Sequence, residues 1–155
     1  MNEHFLEVIH SLEPSFQKLM AMPSVTAATL PASMRSAGIY LFSENGSHLY
    51  VGRTRDLRGR MGRHSLPGAT HRMAAFAFRL AREATGYLDA TYMKVGGRSD
   101  LIEIPEFYLA FTEAKKRIRA MDLRFVEETD PVRQAVLEIY VAVSLQTPYN
   151  DFNTH

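Results

Sequence analysis

Apolar residues recur at helical spacing from the first turns of the chain. Phe5, Val8, Ile9, Leu12, Phe16 and Leu19 fall on one face of a helix over residues 4–20. Pro14 interrupts this pattern, which predicts two short helices or a break at Glu13. Residues 21–37, with Pro23, Pro31 and several serines and alanines, read as a connector. The period then changes. Gly38-Ile39-Tyr40-Leu41-Phe42-Ser43 is rich in strand formers, and His48-Leu49-Tyr50-Val51-Gly52 reads as a returning strand. Between them, Glu44-Asn45-Gly46-Ser47 carries an Asn-Gly pair, the strongest short-range signal of a hairpin.

Asp56 caps a predicted helix to about His64, which the breaker Pro67-Gly68 follows. Residues 71–85 predict another helix, with Met73, Phe76, Ala77, Leu80 and Ala84 on one face and Gly86 as its stop. A short strand is expected within 87–95, a loop over 96–100, and a helix from Pro105 to about Met121. Leu123 to Glu128 alternates like a strand, and Asp130-Pro131 opens a helix to about Leu145. The expected class is α/β (α+β): a small three-stranded, mainly antiparallel sheet flanked by helices. The run Phe76, Phe78 and Leu80 reads as core.

The 155 residues fit one compact domain. No cysteine is present, which excludes a disulfide framework, cysteine-ligated zinc and a cysteine nucleophile. The sequence has no run of about 18 apolar residues, so no spanning segment is expected. The opening Met1-Asn2-Glu3-His4-Phe5 is acidic, with no apolar core after it, so the expected location is cytoplasmic.

Net charge is +1, so bulk charge does not point to nucleic acid. Its distribution does. Arg53, Arg55, Arg58, Arg60, Arg63, Arg72, Arg79 and Arg82 share one stretch in which Asp56 is the lone acid. Phosphate binding needs a local positive surface rather than a positive average, although a solvated arginine face explains the run equally well. Lys115, Lys116, Arg117 and Arg119 at the end of the 105–121 helix suit its dipole as well as they suit a phosphate. The spacing of His4, His10, His48, His71 and His155 is not that of metal ligands.

The hairpin carries Gly38-Ile39-Tyr40 and Tyr50-Val51-Gly52 on adjacent strands. Arg60 and His64 follow at i, i+4 spacing, on one face of the next helix. Glu138 then stands inside the otherwise apolar Val136-Leu137-Glu138-Ile139-Tyr140, where an unpartnered carboxylate is expensive, and Pro148-Tyr149-Asn150 comes after. This ordered set resembles the GIY-YIG endonuclease family closely over residues 38–64 and well over 123–150. The resemblance implies a GIY-YIG domain over 38–155 with an insertion at about 65–122, preceded by a helical extension over 1–37.

The resemblance also implies a chemistry. Hydrolysis of a phosphodiester needs a nucleophilic water, neutralised phosphate charge and a stabilised leaving oxygen. Glu138 would hold one divalent cation, Mg2+ or Mn2+, because magnesium is commonly bound by one or two carboxylates with waters and phosphate. Arg60 would clasp the non-bridging oxygens. Tyr40 would be the general base; a phenol of pKa about 10 needs nearby cations to lower it for that task. His64 would relay the proton or orient Tyr40, and Tyr50 would bond the scissile phosphate or the water. Gly52, Arg53, Arg55 and Asn150 are expected on the substrate-binding side, with Asn150 more a support for the Glu138 region than a reacting group. Gly38 and Gly52 leave the backbone open to close approach.

The implied activity is metal-dependent endonuclease action on DNA, with RNA open as well. With little room for a large recognition domain, the expected routes to specificity are structure recognition, a homodimer or a recruiting protein. The rival from another class is a non-catalytic nucleic-acid-binding module that has kept the shape.

Overall fold

The structure, a computed structural model, describes residues 1–88 and 97–153. Its elements in order are α1 (Glu3–Ser11), α2 (Glu13–Ala21), a 3-10 turn (Ala27–Thr29), β1 (Gly38–Glu44), β2 (Ser47–Thr54), α3 (Leu57–Ser65), α4 (Ala75–Thr85), α5 (Arg98–Ile102), α6 (Pro105–Ala120), β3 (Asp122–Glu127) and α7 (Pro131–Leu145). Local chemistry sets most of these bounds. The Asn2 side chain accepts from the Phe5 amide at 3.1 Å and caps α1. Pro14 lies in the first turn of α2, where a missing N–H costs nothing, so the early apolar pattern splits into two helices at Leu12. Asp130 caps α7 by accepting from the Arg133 amide at 2.8 Å. Asn45 and Gly46 both adopt positive φ, 52° and 81°, as the tight hairpin turn demands.

A chain of this length is expected to fold around one core, but the structure divides into two compact units. The first joins Met1–Gly59 to Met121–His155, and the second is Arg60–Ala120. The second unit has apolar residues of its own. Phe76, Phe78, Phe107 and Phe111 are buried, with the Phe78 and Phe107 ring centroids 4.9 Å apart. Lys115 is buried there too, and its ammonium donates to the carbonyls of Pro67 and Ala69 at 2.7 and 2.9 Å.

In the first unit the sheet order is β2-β1-β3, with both pairings antiparallel. Register fixes which side chains share a face. Tyr40 lies opposite Gly52 and Phe125, and Phe42 opposite Tyr50 and Leu123. Ile39 lies opposite Arg53 and Val126, on the other face by the two-residue period of a strand. Ile39, Leu41, Val51 and Val126 make that face the core, packed with Leu12 and Leu19 from the N-terminal helices and Leu137, Val141 and Ala142 from α7. The N-terminal helices are therefore part of this core. Each such aliphatic side chain contributes about 1.5–3 kcal/mol on full burial.

Two expected bounds shift. Thr70–Met73 form a turn in which the Met73 and Ala74 amides both donate to the Thr70 carbonyl, so α4 starts at Ala75 rather than at His71. The loop expected over 96–100 gives way to α5, because the amides of Asp100 and Leu101 fold back onto the Gly97 carbonyl. The strand expected within 87–95 lies mostly outside the described residues.

Both outer strands of the sheet are engaged. Val25 exchanges two backbone hydrogen bonds with Leu123 of β3, at 2.9 and 2.8 Å. On β2 the Asn150 carboxamide takes the place of a fourth strand. Its oxygen accepts from the Val51 amide at 2.9 Å, its nitrogen donates to the Val51 carbonyl at 2.7 Å, and the Tyr149 amide donates to Leu49 at 3.1 Å. Replacing Asn150→Ala removes both side-chain bonds to Val51 and strands two backbone groups, at an expected cost of about 1–3 kcal/mol. Urea denaturation checks this; an unchanged midpoint at unchanged slope would show that the clamp contributes nothing.

Candidate active site on the edge strand

The two tripeptides place their tyrosines on one face of the hairpin. The Tyr40 and Tyr50 ring centroids are 6.3 Å apart and inclined at 43°, and Tyr40 also packs edge-on to Phe42 at 5.8 Å. Tyr40 is buried while Tyr50 is partly exposed. The phenol of Tyr40 lies across β2: a Cβ on Gly52 would fall 2.2 Å from its hydroxyl and 2.4 Å from Cζ. The glycine of the second tripeptide is thus the space that the tyrosine of the first one fills.

Glu138 approaches the same strand from the opposite face. Its Oε2 lies 3.2 Å from Nε of Arg53, the residue next to Gly52. The side chains are 23% and 47% exposed, so water screens the pair only in part. Burial lifts the Glu138 carboxyl above the ordinary carboxylate range, and Arg53, by its charge and its hydrogen bond, pulls against that lift. The tyrosine pair and the carboxylate are therefore not stacked on one face. They flank Gly52 and Arg53 of one edge strand from its two sides.

Glu138 is also the test of fit for a divalent ion. Among the described residues no three His, Asp or Glu side chains gather as a cation cage. One hard carboxylate, with Oε2 on Arg53 and Oε1 left over, suits a cation that keeps most of its waters and takes phosphate oxygens, and does not suit a structural metal.

Asn150 is committed to Val51, and its oxygen also accepts from the Thr147 hydroxyl at 2.7 Å; its role is to hold the edge of β2. Arg55 is exposed just past β2. Asp56 caps α3 as expected, accepting from the Gly59 amide at 3.2 Å. Arg60 and His64 belong to the second unit. The Arg60 guanidinium donates to the Met73 carbonyl at 3.2 Å. His64 is fully buried, edge-on to Phe76 with centroids 6.5 Å apart. Burial first, then the charges of Arg60 and Arg63, hold its pKa well below the usual imidazole value, so its ring is neutral at pH 7.

The catalytic-domain model of the GIY-YIG family matches residues 36–93, spanning both tripeptides, Arg60 and His64. That segment is similar to a GIY-YIG catalytic domain. No curated protein and no solved structure matches it. The match points to a nuclease-type function; GIY-YIG nucleases in general act on nucleic acid and depend on a divalent metal. The three-stranded antiparallel sheet with flanking helices is the fold expected of a GIY-YIG nuclease.

The partnership of Arg53 with Glu138 was not among the expected roles, although its signal is present. Arg53 stands two residues after the core residue Val51, which puts it on the face that α7 covers. The geometry sets two expectations for variants. Gly52→Ala forces a methyl group into the Tyr40 phenol and should cost about 1–3 kcal/mol, the usual range for overpacking, with the Tyr40 ring resonances displaced. A variant as stable as the parent, with those resonances unmoved, would contradict the close approach. The second concerns His64. Its folded form resists protonation, so the stability it allows is complete above the unfolded value of 6.5 and falls as pH drops below it. In urea titrations between pH 8 and 5, His64→Gln should flatten that acid-side loss; an identical slope in both proteins would assign it elsewhere.

Proposed function

We propose that the chain is a metal-dependent endonuclease that hydrolyses phosphodiester bonds in DNA at the edge of β2. What supports this reading is the family match over 36–93 together with the Glu138 carboxylate held partly buried beside Arg53. A carboxylate kept partly buried against its own desolvation cost is what a metal ligand requires and what a surface glutamate does not.

A bound Mg2+ or Mn2+ would supply Lewis-acid stabilisation of charge on the phosphate and on the departing 3' oxygen. Glu138 would hold it through the oxygen that Arg53 leaves over. Tyr40 would accept the proton of the attacking water, and Tyr50, the more exposed of the pair, would bond the phosphate or that water. The P–O bond to the 3' oxygen then breaks, and that oxygen leaves as a hydroxyl after taking a proton from solvent. Arg53 would keep Glu138 ionised before substrate arrives and lend positive charge to the phosphate afterwards.

Supercoiled plasmid incubated with Mg2+ or Mn2+ tests the reading. The parent should nick it, Glu138→Ala should leave it intact, and Tyr40→Phe should slow nicking by about 10²–10⁴-fold, the usual worth of a general base. Equal cutting by parent and Glu138→Ala would exclude the site, and metal-independent binding with no cutting would assign a non-catalytic module. Labelled duplex, flap and junction substrates, in DNA and RNA, then rank the substrates.

A further inference from the structure

A run of hydrogen bonds in the second unit leads from a buried lysine to the arginine of the family pattern. Lys115 of α6 is 4% exposed, yet it carries an ammonium group. That group donates to the carbonyls of Pro67 and Ala69, at 2.7 and 2.9 Å, and lies 4.7 Å from the centroid of the Phe111 ring. One turn further along α6, Arg119 donates to the Ser65 hydroxyl at 3.4 Å, and this hydroxyl donates to the Met61 carbonyl at 2.7 Å. Their i, i+4 spacing puts the two cations on one side of α6. That side grips the end of α3 and the loop after it.

The loop carries the grip onward. The Ala69 amide donates to the Leu66 carbonyl at 2.9 Å. Thr70, next in the chain, accepts from the amides of Met73 and Ala74 at 3.0 and 2.9 Å. The Met73 carbonyl then accepts from the Arg60 guanidinium at 3.2 Å. Every residue in this series lies within Arg60–Ala120.

Packing alone does not call for a lysine at 115. Taking an ammonium group out of water is costly, and burial lowers its pKa accordingly. A methionine would fill similar room without that cost. What methionine lacks is a donor, and the two loop carbonyls turned onto Lys115 require one. The ammonium fixes the start of the loop, and the loop ends on the carbonyl that Arg60 uses.

We propose that Lys115 is a positioning residue for Arg60. By fixing the 66–73 loop it holds the Met73 carbonyl, and with it the guanidinium, in one place. The use of that guanidinium on a phosphate group of nucleic acid rests on the nuclease reading; the linkage from Lys115 to Arg60 does not.

The experiment uses the full chain. Lys115→Met keeps an apolar stem and removes the donors. If circular dichroism shows this variant unfolded, Lys115→Gln, whose amide can still donate, replaces it. The Nε–Hε resonance of Arg60 should shift in the Lys115 variant and stay in place in Lys116→Met, which removes an exposed lysine paired with Glu113. With supercoiled plasmid and Mg2+, the Lys115 variant should nick about 10²-fold more slowly, the cost of a shift of about 1 Å in a positioned group. Added to Arg60→Lys, the same change should slow nicking no further, because residues that act through one another do not add. An Arg60 resonance that stays in place, or losses that multiply in the double variant, would overturn the proposal. A shifted resonance in a protein whose parent form does not nick would remove the nuclease reading and leave the linkage standing.

Discussion

The phenol of Tyr40 occupies the volume that any side chain on residue 52 would need, and the candidate site is arranged around that single close approach. It explains why the two tripeptides must face each other in this register. A slip of one residue would bring Val51 under the phenol and turn the core face of β2 outward. The Asn-Gly turn and the pairing of β1 with both neighbours hold the register, so the tyrosine pair is set by the most local features of the chain.

The carboxylate is held by other means. Glu138 sits in a helix whose neighbours Leu137 and Val141 are fully buried, and the fold offsets the cost of this by placing Arg53 beside it. The pair is a compromise between packing and chemistry. Burial raises the carboxyl's affinity for a proton, and the guanidinium opposes that without sealing the group away from solvent. Proteins tolerate such local costs where reactivity requires them, which is why an acidic residue in an apolar helix is informative.

Much of this was legible in the sequence because the signals are short-range. The hairpin, the break at Pro14, the Asp130-Pro131 start of α7 and the extent of α6 all follow from a cap, a turn pair or a proline whose effect is confined to a few residues. The set Tyr40, Tyr50, Arg60, His64 and Glu138 was legible as an ordered pattern, and the family match spans its first four positions. What escaped depends on tertiary context. The start of α4 moved because the Thr70 carbonyl takes two amides in a turn that composition does not announce. Division into two units escaped because Phe78 meets Phe107 and Phe111 across α4 and α6, far apart in the chain. The burial of His64 escaped for the same reason, since its helix reads as polar and its surroundings come from elsewhere.

The occupied margins of the sheet have a bearing on how the protein meets other molecules. Val25 holds Leu123 of one outer strand and the Asn150 carboxamide holds Val51 of the other, so each backbone ladder is interrupted. Growth by strand addition, the common path to domain swapping and fibrous aggregates, would have to displace these contacts. A three-stranded sheet is small enough for that protection to matter, because every strand but the middle one would otherwise be a template.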